Sequence, residues 1–121
     1  MTGEYALVVT GKSKLAQMCK DALERSGFQV QLETTGARAQ VQLAFTNPDL
    51  VVLDLNLPDM HGEIILRQLS SHRRFSDTRL ILLVEESIPA PENCSPDSVL
   101  AKPFAAPDLA TMAAQVCGLS A

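Results

Sequence analysis

The chain has 121 residues, of which 46% are hydrophobic and 20% are charged, and its formal net charge is −4. This length suits one domain with a single core, and the apolar share disfavours a disordered chain. The negative charge argues against a nucleic-acid groove, and the small basic patch of Arg67, Arg73 and Arg74 is interpreted as a solvated helix end. No apolar run is long enough to span a bilayer, so we expect no membrane contact.

The cysteines and histidines disfavour a disulfide framework and a metal cluster. The three cysteines are Cys19, Cys94 and Cys117, an odd number without C-x-x-C spacing, and the only histidines are His61 and His72. The chain does not open with the pattern of a signal peptide. We therefore expect a reduced, cytoplasmic protein with structural or incidental thiols and no cofactor, in which Mg²⁺ binding is weak or absent.

The first half of the chain alternates apolar runs with segments of helical periodicity. Strands are predicted over residues 5–9 and 28–32, and helices over 13–26, which we expect Ser13 to cap, and over 36–45. In the second of these helices, the inner face is predicted to consist of Val41, Ala44 and Phe45.

The second half continues the alternation, with one interruption. A buried strand is predicted over residues 50–54, a loop over 57–62, a helix over 63–71, strands over 80–84 and 99–101, and a last helix from Pro107 to Gly118. Between the last two strands, residues 85–97 contain three prolines and little periodicity. A helix there is expected to be shortened or absent.

Strands alternating with helices predict a three-layer α/β/α domain over residues 1–121, with a parallel sheet covered on both faces. Ligands bind at the carboxyl ends of the strands in such sheets. Asp54 ends the third strand and Lys102 follows the fifth. A carboxylate after four buried residues needs a partner, and we expect the long side chain of Lys102 to reach it in a charge-assisted contact.

Two motifs resemble those of response-regulator receiver domains. Asp54-Leu55-Asn56-Leu57-Pro58-Asp59-Met60-His61-Gly62 resembles their D-x-x-x-P-x-x-x-G signature, and Lys102-Pro103-Phe104 resembles their K-P-F motif. The resemblance implies a flavodoxin-like sheet in the order 2-1-3-4-5. It also implies that Asp54 accepts a phosphoryl group from a histidine kinase, that Lys102 binds this group, and that the backbone carbonyl of Asn56 helps to hold Mg²⁺.

Several positions depart from the family pattern. Thr10 and Gly11 stand where receivers carry two acidic residues that anchor Mg²⁺, and Lys12 follows them. Lys12 is interpreted as a partial substitute for the ion, as a partner of Asp54, or as a solvated lysine. The fourth strand ends in Val84 rather than a hydroxyl residue.

Two further departures adjoin the same pocket. Glu85 follows Val84 where the family prefers a small residue, and it either repels an acyl phosphate or supplies the missing acid together with Glu86. Val99 replaces the aromatic residue of the fifth strand, and a β-branched side chain has few rotamers with which to report activation.

These departures predict a pseudo-receiver that acts in two-component signalling by binding a protein, with weak or absent Mg²⁺-dependent phosphorylation of Asp54. The partner is expected to be a histidine kinase or a downstream signalling protein, contacted through residues 85–97. One alternative is a phospho-accepting receiver with unconventional metal ligands. Another is a flavodoxin-like domain that binds a small ligand. No nucleophile–base pair indicates an enzyme, and the oligomeric state is left open.

Overall fold

A computed structural model describes residues 4–85 and 97–118 of the chain. Five parallel strands form one sheet in the order β2-β1-β3-β4-β5, which confirms the predicted topology. The strands are β1 (Tyr5–Val9), β2 (Gln29–Glu33), β3 (Leu50–Asp54), β4 (Arg79–Glu85) and β5 (Ser98–Lys102). The helices are α1 (Ser13–Arg25), α2 (Gly36–Phe45), α3 (Glu63–Ser71) and α4 (Ala106–Cys117), with a short 3-10 helix over Arg73–Phe75.

The core consists of two apolar layers, one on each face of the sheet. Successive residues of a strand point to opposite faces, so in β3 the side chains of Val51 and Leu53 pack in one layer and those of Leu50 and Val52 in the other. Helices α2 and α3 cover the first layer, and α1 and α4 cover the second. This double burial explains the continuous apolar runs of the central strands.

The predicted inner face of α2 was wrong. Phe45 is 81% exposed, Val41 is 57% exposed and Ala44 is also exposed, whereas Ala39 and Leu43 are fully buried. The helix carries apolar residues on two sides, so periodicity alone could not decide which side faces the sheet. At the amino end of α2, the buried residue is Gly36, which packs against Met60. A Cβ atom on Gly36 would lie 2.4 Å from the Met60 sulfur, so a larger residue there would require Met60 to move.

The predicted cap of α1 was wrong, and the prediction for the segment between β4 and β5 stays a prediction. Helix α1 begins at Ser13, as predicted, but its N-cap residue is Lys12, and no side chain caps the first turn. The expected loss of a helix between β4 and β5 and most of the proposed partner segment concern residues 86–96, which lie outside the described residues. None of the helices in the described part of the chain has the length and apolarity that a membrane crossing requires.

Candidate functional site

Asp54 is fully buried at the carboxyl end of β3, and both of its oxygens are hydrogen-bonded. Lys102 Nζ lies 2.8 Å from Asp54 Oδ1, as the sequence predicted. The backbone N–H of Asn56 donates to the same oxygen at 2.9 Å. The Thr10 hydroxyl donates to Asp54 Oδ2 at 2.8 Å. Three donors therefore surround one carboxylate, which offsets the cost of burying its charge.

The topology of the sheet explains why these residues meet. In a parallel sheet all carboxyl ends lie at one edge, and β1 and β4 flank β3 on its two sides. Thr10 directly follows β1, and its backbone N–H donates to the Glu33 carbonyl at 3.2 Å, which extends the pairing of β1 with β2. Lys102 ends β5, two strands away from Asp54, so only a long side chain can reach the carboxylate.

Glu85 joins this site through a cross-strand pair. Glu85 and Lys102 are directly opposite in the register of β4 and β5, so their side chains are neighbours. Lys102 Nζ lies 3.2 Å from Glu85 Oε1, and the same oxygen lies 3.4 Å from Lys12 Nζ. None of the three interpretations of Lys12 named this contact: its ammonium group pairs with Glu85 rather than with Asp54, and its side chain is 51% exposed.

The pKa values of two groups follow from these contacts. The hydrogen bond and charge of Lys102, and then those of Lys12, lower the pKa of Glu85 from its ordinary value of 4.5. Burial lowers the pKa of Lys102, but contacts with Asp54 and then with Glu85 outweigh burial, so the net pKa lies above 10.5. Glu85 and Lys102 are thus expected to be charged near neutral pH.

The loop between β3 and α3 is held in place from two directions. Asp59 accepts hydrogen bonds from the backbone N–H groups of Gly36 at 2.8 Å and Ala37 at 3.0 Å, at the amino end of α2. These two bonds lower the pKa of Asp59 below 3.8. Within the loop, Asn56 forms a backbone bridge with His61. The loop that presents the Asn56 N–H to Asp54 is therefore fixed to α2.

Gly11 lies beneath the same loop. A Cβ atom at this position would approach the Pro58 Cδ atom to 2.7 Å, so any larger residue requires the ring to move. At the two positions where the family pattern has acids, Thr10 therefore donates a hydrogen bond to Asp54, and Gly11 fits beneath Pro58 because it has no side chain.

The remaining predicted site residues lie near the cluster without joining its hydrogen bonds. Val84 is 8% exposed and packs in the apolar layer under α2 and α3, so its side chain belongs to the core. Val99 is 41% exposed and pairs with Leu82 of β4. Neither side chain supplies a polar group to the pocket.

Sequence comparison identifies the family of this fold and pocket. Residues 6–114 match the response regulator receiver domain. The chain belongs to this family. The transcriptional regulatory protein GltR of Pseudomonas aeruginosa is 30% identical to this receiver domain over 111 residues, which are 88% of the chain and 46% of GltR. The chain thus spans about half the length of the curated relatives it matches.

Solved structures confirm the fold of this receiver domain. The chemotaxis response regulator CheY4 of Vibrio cholerae has a TM-score of 0.86 with 22% identity, covering 95% of this chain and 99% of its own. The receiver domain of a sensor histidine kinase from Pseudomonas aeruginosa has a TM-score of 0.84 with 20% identity, covering 97% and 99% of the two chains. That protein was solved with a magnesium ion coordinated in its active-site cleft.

Three hydrogen-bond donors surround Asp54 in this receiver, and Glu85 is the other carboxylate of the cluster. Mg²⁺ needs oxygen ligands, usually one or two carboxylates together with phosphate and water. Here the Thr10 hydroxyl and the Asn56 N–H donate to Asp54, and Glu85 is shared by two lysines. Among the described residues, no three His, Cys, Asp or Glu side chains are grouped as metal ligands.

Sequence reasoning missed two contacts of this receiver domain. The bond from Thr10 to Asp54 was not predicted, although a hydroxyl residue at the end of a strand beside a buried acid is a plausible donor. The capping of α2 by Asp59 was also missed, because the two segments are 22 or more residues apart. The spacing of Asp59 from Asp54 carries no signal for that contact.

Proposed function

We propose that this receiver domain acts in two-component signalling by binding a protein partner, with little or no Mg²⁺-dependent phosphorylation of Asp54. One observation carries the proposal. Both oxygens of Asp54 accept hydrogen bonds from the chain itself, through Lys102, Asn56 and Thr10, and the side chain is only 1% exposed. Asp54 therefore has the partners that a buried carboxylate needs without a metal ion or a phosphoryl group.

Electrostatics supports the same conclusion. Phosphoryl transfer needs positive charge beside the transferring oxygens, which Mg²⁺ commonly supplies. The carboxylate nearest to Asp54 in the cluster, Glu85, is already paired with Lys102 and Lys12. Its negative charge, at the end of the neighbouring strand β4, would also repel a phosphorylated Asp54. The hydroxyl that would contact the phosphoryl group is replaced by Val84, which has no donor.

The partner is proposed by class. Relatives such as GltR are transcriptional regulatory proteins, and this chain matches 46% of GltR, so a histidine kinase or a downstream protein is the partner we expect. We place this activity in the cytoplasm and propose a role in protein binding rather than catalysis. The segment 85–97 remains the proposed contact region on the ground of its sequence, which contains three prolines.

The test is incubation of the purified protein with Mg²⁺ and acetyl phosphate, followed by intact-mass measurement. We expect no adduct of about 80 Da, the mass added by one phosphoryl group. Asp54→Ala serves as the control for phosphorylation elsewhere. A Mg²⁺-dependent adduct that forms on the natural protein and is lost in Asp54→Ala would contradict the proposal.

A phospho-accepting receiver with unconventional ligands is the second candidate, and Glu85 is the observation that favours it. Glu85 is the other carboxylate bound to Lys102, so it lies in the same pocket as Asp54. If Glu85 holds the ion, the adduct will form on the natural protein and will be lost in Glu85→Gln as well as in Asp54→Ala. That pattern would replace our first proposal with this one.

A further inference from the structure

We propose that Glu85 is a built-in anion that occupies an oxyanion-binding site formed by Lys12 and Lys102, a site that would otherwise take a small oxyanion such as inorganic phosphate. This inference rests on the proposed function and names how the same site is regulated. Glu85 holds the two lysines in the way that a bound anion would. The positive charges of Lys12 and Lys102 are therefore balanced by the protein itself, without a bound ligand.

The geometry of a single oxygen atom supports the proposal. Glu85 Oε1 lies 3.2 Å from Lys102 Nζ and 3.4 Å from Lys12 Nζ, so one oxygen accepts from both ammonium groups. Two lysines, one at the end of β5 and one before α1, converge on one oxygen, and this arrangement also suits an oxygen of phosphate. Lys102 joins the two acids, because it also donates to Asp54 at 2.8 Å.

The charges of the cluster explain why Glu85 excludes another anion. Lys12 and Lys102 carry two positive charges, and Asp54 and Glu85 carry two negative charges, so the cluster is neutral. Removal of the Glu85 charge leaves one net positive charge between Lys12 and Lys102. Attraction between unlike charges at such distances is strong enough to recruit an anion when the site is partly shielded from water.

The exposures of the three residues show that an anion can reach this site. Lys102 has a side chain only 10% exposed, whereas Glu85 is 36% exposed and Lys12 is 51% exposed. The buried lysine is thus the fixed part of the site, and the two outer residues border on solvent. A small anion can approach from that side once the Glu85 carboxylate no longer holds the lysines.

The test compares anion binding by Glu85→Gln with that of a matched control. Gln keeps the size of the side chain and removes its charge. The control is Glu24→Gln, because Glu24 forms an exposed ion pair with Lys20 at 3.8 Å on α1, away from the carboxyl edge of the sheet. Inorganic phosphate is titrated into each ¹⁵N-labelled protein at low ionic strength without Mg²⁺, and the amide signals of Gly11, Asn56 and Ala101 are followed.

We expect Glu85→Gln to bind phosphate about tenfold more tightly than the natural protein, while Glu24→Gln is unchanged. Adding Lys12→Met to Glu85→Gln should abolish the gain. Equal affinities of Glu85→Gln and Glu24→Gln, or a gain that survives Lys12→Met, would overturn the inference. These outcomes differ from failure of the proposed function, which appears as a Mg²⁺-dependent adduct on the natural protein.

Discussion

The Thr10 hydroxyl donates a hydrogen bond of 2.8 Å to Asp54 Oδ2, within a site where both residues are fully buried. Where receiver domains are expected to place a second carboxylate, this chain places a hydroxyl that donates a hydrogen bond to the first. The exchange changes what the pocket attracts. A pair of acids draws a cation, whereas the Thr10 hydroxyl, the Asn56 N–H and Lys102 satisfy Asp54 from within the protein.

Replacing Thr10 with Val should destabilise the fold by about 2 kcal/mol. Valine has nearly the same shape, but it leaves Asp54 Oδ2 buried without its donor, and bonds to charged groups are worth about 1.5–3 kcal/mol. Urea unfolding followed by circular dichroism measures the change. Thr111→Val, at an exposed position of α4, is the control and should stay within about 0.5 kcal/mol of the natural protein. Equal stabilities of the two variants would show that the Thr10 bond contributes nothing.

Lys102→Met should be more damaging, at about 3 kcal/mol, because it leaves the Asp54 charge buried without its ammonium partner. The double variant with Asp54→Asn should recover part of the loss, since no charge then remains to be paired. Chemical denaturation of the two single variants and the double variant gives the coupling free energy. We expect at least about 1 kcal/mol, and strictly additive losses would contradict a direct interaction.

The orientation of α2 can be tested with two substitutions one half-turn apart. Leu43→Ala should cost about 2–5 kcal/mol, because it empties a fully buried position. Phe45→Ser should change the unfolding free energy by less than about 0.5 kcal/mol, because Phe45 is 81% exposed. Thermal and urea unfolding measure both variants. A large loss for Phe45→Ser and a small loss for Leu43→Ala would restore the inner face predicted from the sequence.

Stability should depend on pH at both ends of the range. The pKa of Glu85 is lowered from 4.5 and that of Asp59 from 3.8, so their contributions are present above these values and are lost as pH falls through the lowered pKa values. The pKa of Lys102 is raised above 10.5, so its contribution is present below that value and is lost as pH rises through the raised pKa.

Urea unfolding at several pH values measures this dependence. Glu85→Gln should lose less stability than the natural protein between about pH 6 and pH 3, because it lacks one of the groups that must be protonated. Glu24→Gln is again the control and should follow the natural protein more closely. Identical acid profiles for Glu85→Gln and the natural protein would show that the ion pairs of Glu85 contribute nothing to stability.

The sequence predicted the buried strands and the contact of Asp54 with Lys102, because both depend on patterns that one chain displays, whereas the strand order came from the resemblance to receiver domains. Apolar runs mark the buried strands, and a buried acid at a strand end needs a partner. Sequence could not predict which side of α2 faces the sheet, because Val41 and Phe45 continue the apolar pattern on the outer side. The pairing of Lys102 with Glu85 was also out of reach, since it depends on the register of β4 and β5.

The close approach of Gly11 to Pro58 limits how this pocket can change by mutation. An aspartate at position 11 would bring its Cβ atom to 2.7 Å from the proline ring, and the loop carrying that ring is fastened to α2 through Asp59. Substitutions at positions 11 and 58 are therefore coupled, and their effects should depend on the order in which they occur. In a receiver that has exchanged the acids for threonine and glycine, restoring an acid at position 11 is therefore expected to be unfavourable until position 58 has also changed.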